Sequence, residues 1–206
     1  MGELATAVTD LFMAWCCLFW IPRLNGKTWR VPVPIALWEC AFLCIAWSAL
    51  CGCIYHGLNH ADRFQLATYG LLIIANFFLL GGALWVTMSF SMRVFRARTI
   101  SLVLIIMITT VFFRELVLTK NPAGATFYTF CTIVFLLVIG ILWGIHGNPA
   151  GSWLVSSMGI ACIAGLIYLT HMDVAPWFDH NATFHVIQTV SLWFLYRSGL
   201  ALRNTS

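Results

Sequence analysis

An all-α polytopic membrane domain of seven transmembrane helices is the fold class that the sequence predicts, and three observations predict it. Of 206 residues, 61% are hydrophobic and 9% are Asp, Glu, Lys or Arg, where soluble domains carry roughly 25% charged residues. The apolar residues fall into seven runs, each near the roughly 20 residues that one bilayer crossing takes, separated by connections that hold the Gly, Pro and charged positions. Basic residues gather on alternate connections, as they do on the cytoplasmic side of membrane proteins. An ordinary soluble domain is excluded. So is a nucleic-acid surface, because 11 Lys plus Arg against 7 Asp plus Glu are too few and too scattered.

The first run, 4–22, has no basic segment before it and reads as a retained helix, not a cleaved signal peptide. It stops at Ile21-Pro22-Arg23-Leu24-Asn25-Gly26-Lys27, where proline and glycine break helical periodicity. The second, 33–57, ends before Asn59 to Arg63, and the third, 65–90, before the basic stretch Ser91 to Arg98. The fourth, 99–118, closes at Lys120-Asn121-Pro122, and the fifth, 124–146, at His146-Gly147-Asn148-Pro149. The sixth, 151–171, leads through Asp173 to Asp179 into the last, 180–201. No repeat divides the chain, so residues 1–206 read as one domain.

One side of this arrangement takes Arg23, Lys27, Arg30, Arg93, Arg96, Arg98, Arg197 and Arg203, and the other takes Arg63, Arg114 and Lys120. That bias predicts the N-terminus outside and the C-terminus in the cytoplasm of a cell (inner) membrane. Trp20, Trp29, Trp153 and Trp177 fall near helix ends, where an aromatic belt is expected. All eight cysteines lie within apolar stretches and read as lipid-facing or core residues, not a disulfide framework.

The topology makes the polar residues informative, because an ionisable side chain in the bilayer costs at least roughly 2.5 kcal/mol on insertion scales. His56, His60, His171, His180 and His185 all come to the outer membrane level, with Asp10, Asp62, Asp173 and Asp179. Imidazole and carboxylate are zinc ligands, and a catalytic zinc keeps one position for water. His56 and His60, four apart, share a face if the helix persists. His180 and His185, five apart, do not, so either His180 precedes the helix or only His185 points inward. The expected metal ligands are His56, His60, His180 and His185. Asp10 sits among Ala7, Val8, Leu11 and Phe12, where a carboxylate needs a histidine, a metal or its own proton as partner. Asp10 and Asp62 are the expected general base or orienting groups. Glu39 lies toward the other end and is expected to hydrogen-bond across a helix interface.

Tyr55-His56 and Phe184-His185-Val186-Ile187 give the chain a resemblance to the alkaline ceramidase and CREST hydrolase superfamily of seven-helix membrane proteins. The resemblance implies a zinc-activated water attacking a lipid amide, with His56 as the early ligand and His185 as the second histidine of the late motif. Asn181 stands where the family's first late histidine falls, beside His180; Gly52 stands at its helper serine and Ala67 near its later aspartate. The closing stretch from His185 to Gly199 is also similar to an uncharacterised bacterial membrane family.

The expected function is therefore a zinc-dependent membrane hydrolase acting on a lipid amide or ester, with membrane lipids and a lipid-like substrate as partners. The alternative is a non-enzymatic receptor, sensor or transporter whose His/Asp site takes a proton or ligand. A haem protein with paired axial histidines ranks third.

Overall fold

The computed structural model describes residues 2–26, 32–58, 62–89 and 95–205. It is all-α. Among the described residues there are seven helices and no strand: α1 Gly2–Asn25, α2 Val33–Gly57, α3 Asp62–Ser89, α4 Phe95–Thr119, α5 Ala123–Ile145, α6 Ala150–Thr170 and α7 His180–Thr205. A single antiparallel bridge, Ala175 with Phe178, tightens the turn between α6 and α7. Six helices, α1 to α6, are long and apolar enough to cross a membrane. The seventh is as long, but His180, Asn181, His185, Gln188, Arg197 and Arg203 dilute its apolar content.

Each expected run became one helix, displaced at its ends by a few residues. The largest differences have local causes. Helix α1 passes through Pro22 to Asn25 because Arg203 of α7 donates to the carbonyls of Arg23 (2.7 Å) and Leu24 (3.3 Å). Those are orphan acceptors of a last helical turn, and a cation there suits the helix dipole.

Pairwise packing closes a ring, α1 to α2, α2 to α3, α3 to α5, α5 to α6, α6 to α7 and α7 back to α1, with α4 outside it against α3 and α5. Only 6% of the apolar window of α4 is buried, against 50% for α3. Helix α1 runs antiparallel to α2 and parallel to α7. Glu3 meets His56, Asp10 meets His185, and Arg203 meets Arg23. The odd-numbered helices α1 and α7 therefore start at one end and finish together at the other.

The core is apolar and aromatic where α1, α2 and α7 meet. Trp20 is 8% exposed, stacking on Tyr196 at 5.6 Å and meeting Phe42 edge-on at 6.1 Å. It is thus a core residue and not the belt residue expected of it; Trp29 lies outside the described residues. Trp153 takes the Arg197 guanidinium over its ring at 4.4 Å, a cation–π contact. The eight cysteines are free thiols.

Hydroxyls join the helices where the interior offers no water. Ser157 and Ser191 donate to each other's carbonyls at 2.8 Å, and Ser198 donates to the Ala150 carbonyl at 2.8 Å. Bonds of this kind average about 0.6 kcal/mol in membrane interiors. Ser157→Ala should therefore lower unfolding free energy in a detergent or steric-trap assay by about 0.6 kcal/mol, and by no more than about 2.

Candidate functional site

The site begins with Asp10, about 12 Å along α1 from its start at a rise of about 1.5 Å per residue. Its side chain is 2% exposed. His185, in the second turn of α7, places Nδ1 3.2 Å from Asp10 Oδ1. The approach is off the line of a hydrogen bond, so both Nδ1 of His185 and Oδ2 of Asp10 are buried without an aligned partner. Helix α2 supplies the third wall. A Cβ on Gly52 would stand 2.7 Å from Asp10 Oδ2, so glycine here makes the room that the carboxylate occupies. Cys53 of α2 lies within electrostatic range of Asp10, and His56 of α2 and Asp179 within that of His185.

A single unpaired charge in such surroundings costs several kcal/mol. One proton held between two such groups would avoid most of that cost, either as carboxylate and imidazolium or as carboxylic acid and imidazole. Both forms are net neutral.

Above the pair lies a polar rim. His56 Nδ1 is 2.5 Å from Glu3 Oε2. Asp179 caps α7, accepting from the Ala182 N–H at 2.9 Å, and also accepts from the Thr6 hydroxyl at 3.1 Å. An aspartate at the N-cap satisfies a donor that the helix leaves open, and Thr6 ties that cap to α1. Exposure falls inward from Glu3 (48%) through His56 and His185 (16% each) to Asp10 (2%).

A second histidine cluster sits beside the first. His180 Nδ1 is 2.9 Å from Asp173 Oδ1, its backbone N–H donates to the same oxygen at 2.7 Å, and its Nε2 is 3.0 Å from His171 Nδ1. Tyr168 packs against both His180 and Phe184, and Phe184 against His185. The Tyr69 hydroxyl of α3 lies near that of Tyr168.

The hydrogen bonds from the His180 side chain and backbone hold the Asp173 carboxyl below its ordinary range. A depressed carboxyl stabilises the fold above its unfolded pKa of about 3.9, and that contribution is lost as pH falls through the lower folded value. Exchange of the His180 amide, measured with a chelator present, should therefore be slower in wild type than in Asp173→Asn at neutral pH. The two should converge as pH drops below about 4.

A family model matches residues 5–204. The chain belongs to DUF6962, a family of unknown function. No curated protein and no solved structure matches it. Membership fixes the extent of the conserved unit, nearly the whole DUF6962 chain, and brings no activity with it.

Of the residues expected to form the site, Asp10 and His185 are together, while His56 is turned to Glu3 and His180 to Asp173 and His171. His180 is the first residue of α7 and His185 the one that faces inward. Asp62 opens α3 at the same end and is exposed, a placement that suits the helix dipole. His60 lies outside the described residues. Glu39 does not bond across a helix interface as expected: its Oε1 is buried without a hydrogen-bond partner.

Glu3, Thr6, Gly52 and the Tyr69–Tyr168 pair are additions that the sequence reading missed. The first two carried a signal, since positions 3, 6 and 10 recur at helical spacing along one stripe of α1. Among the described residues of the DUF6962 chain, no three His, Cys, Asp or Glu side chains converge as metal ligands. A catalytic zinc takes three protein ligands and a water, and the buried centre as arranged offers two.

Proposed function

We propose that this protein is a non-enzymatic membrane receptor, sensor or transporter that takes a proton or a small polar ligand at Asp10 and His185. The observation that carries the reading is the pair itself: two ionisable groups 3.2 Å apart, on different helices, deep in an apolar bundle, each with a polar atom lacking an aligned partner. Ionisable groups kept at that depth mark proton or ligand paths. Glu3 and His56 form the entry from the surface, and Asp179, His56 and Cys53 set the field around the pair. In this reading all seven helices cross the membrane, with the N-terminus and His56, His171, His180 and His185 outside. The basic residues Arg23, Arg197 and Arg203 at the opposite end support that orientation.

The proton is the ligand to test first. In detergent-purified protein labelled at its histidine rings, the His185 imidazole should titrate with a midpoint that moves on Asp10→Asn and stays in place on Asp173→Asn. A His185 signal indifferent to Asp10→Asn would refute the coupling.

A metal-dependent hydrolase of lipid amides or esters is the second reading, favoured by the same orphaned atoms, Asp10 Oδ2 and His185 Nδ1. It requires His56 to leave Glu3 and join them. Elemental analysis decides it: about one zinc per folded chain, lost in both His56→Ala and His185→Ala, would put the hydrolase first. Folded protein that stays metal-free after zinc is offered removes it.

A further inference from the structure

The rim cluster of His171, His180 and Asp173 has a geometry that the buried centre lacks. His180 presents Nδ1 to the Asp173 carboxylate at 2.9 Å, an arrangement that fixes the Nδ1–H tautomer and leaves the Nε2 lone pair to accept from His171 Nδ1. Carboxylates do this behind metal-bound histidines, where they orient the ring and raise its basicity. The second nitrogen, His171 Nδ1, is 3.0 Å from that Nε2, with the two rings close to perpendicular at 81°.

The backbone at His171 is an independent observation. His171 ends α6 in the left-handed region, at φ 51° and ψ 42°, where glycine is the usual occupant. A side chain there costs on the order of 1–2 kcal/mol. The hydrogen bond from the Met172 N–H to the Ile167 carbonyl, at 3.4 Å, closes the helix end and would form equally well around glycine. The left-handed turn itself makes that bond, as it does where Lys120 (φ 54°) follows α4, but a histidine in place of glycine adds nothing to it. What the histidine adds is an imidazole held against His180, with the two ring centroids 4.5 Å apart.

We propose that His171 Nδ1 and His180 Nε2 form a surface site for one divalent transition-metal ion, with Asp173 as the positioning carboxylate and water in the remaining positions. Two nitrogens each about 2.05 Å from an ion are about 2.9 Å apart at a right angle and about 3.3 Å apart at a tetrahedral angle. The observed 3.0 Å fits the right angle, and tetragonal nitrogen and oxygen coordination selects copper(II) or nickel(II). The ion replaces the hydrogen bond between the two rings: His171 moves its proton to Nε2, and small ring rotations turn both facing lone pairs to the ion. The site stands apart from Asp10 and His185 and does not depend on what that pair does.

The test uses the full chain in detergent, copper(II) as the probe and electron paramagnetic resonance as the readout, with a competing chelator to set the affinity. Wild type should bind one copper with two imidazole nitrogens. His171→Gln and His180→Gln should each lose one nitrogen and weaken binding at least tenfold. Asp173→Asn should keep both nitrogens but weaken binding about tenfold, the low end for loss of an orienting partner. The signal should persist in His185→Gln, which separates this site from the buried pair. A readout that needs no variant is protection: copper should shield His171 and His180 of wild type from diethylpyrocarbonate, mapped by mass spectrometry. A two-nitrogen signal that survives in the His171→Gln, His180→Gln double variant, or the absence of protection at saturating copper, would overturn the proposal.

Discussion

Asp10→Leu is expected to cost about 3–5 kcal/mol of stability if the Asp10–His185 pair is ionised, because it strands a buried imidazolium. If the pair is instead a neutral carboxylic acid beside a neutral imidazole, the loss should be nearer 1–3 kcal/mol, the cost of one unsatisfied polar group. In either case the double variant Asp10→Leu, His185→Phe should recover most of the deficit, since an apolar pair needs no partner. Steric-trap unfolding of the four proteins gives the coupling directly. A large coupling with recovery in the double variant would mean that the pair is retained for what it does and not for what it holds together. Additive losses would mean that Asp10 and His185 contribute separately, and the shared-proton reading of the site would fail.

The contrast between fold and site shows what periodicity alone carries. Helix positions followed from the alternation of apolar runs with Pro, Gly and charge, because a bilayer segment must satisfy its own backbone and only a long helix does so. Pro22 misled, since the termination that it signals was outweighed by Arg203, 181 positions after it in a 206-residue chain. Trp20 misled for a similar reason: proximity to a helix end suggests an interface, but Tyr196 and Phe42 arrive from other helices to enclose it. Counting crossings brought His56, His171, His180 and His185 to one end, and the contacts among them and with Glu3 and Asp10 agree. Which histidine meets which carboxylate depended on helix rotation, and there the sequence was nearly silent. Only the spacing of Glu3, Thr6 and Asp10 along α1, and the five-residue offset of His180 from His185, contained rotational information. Gly52 shows the limit most clearly. Its lack of a side chain reads as loss of a helper group against the ceramidase-like pattern, whereas in three dimensions it is the space into which Asp10 fits.

Two glycines that face each other across α5 and α6 should respond in opposite ways to the same substitution. A Cβ on Gly151 would lie 2.4 Å from the Gly144 nitrogen and 2.6 Å from the Gly140 carbonyl oxygen. Both are backbone atoms, which cannot rotate aside as the Asp10 carboxylate can at Gly52. The helices would have to part by roughly 1 Å to restore ordinary contact distances, losing the close approach that small residues provide in membranes. Gly151→Ala should therefore cost about 3 kcal/mol or more, and Gly151→Val should yield little folded protein. A Cβ on Gly144 meets nothing within 4 Å, so Gly144→Ala should be neutral or stabilising by up to about 1 kcal/mol through reduced freedom of the unfolded chain. The sequence pattern does not separate these outcomes, since Gly140 and Gly144 form the recognisable small-residue pair, while the closest contact belongs to Gly151 on the partner helix. Equal destabilisation by Gly144→Ala and Gly151→Ala would place the contact on the wrong face of α5. That would rotate the helix carrying Thr129, the partner of Asn76 on α3, and with it one side of the ring that encloses Asp10 and His185.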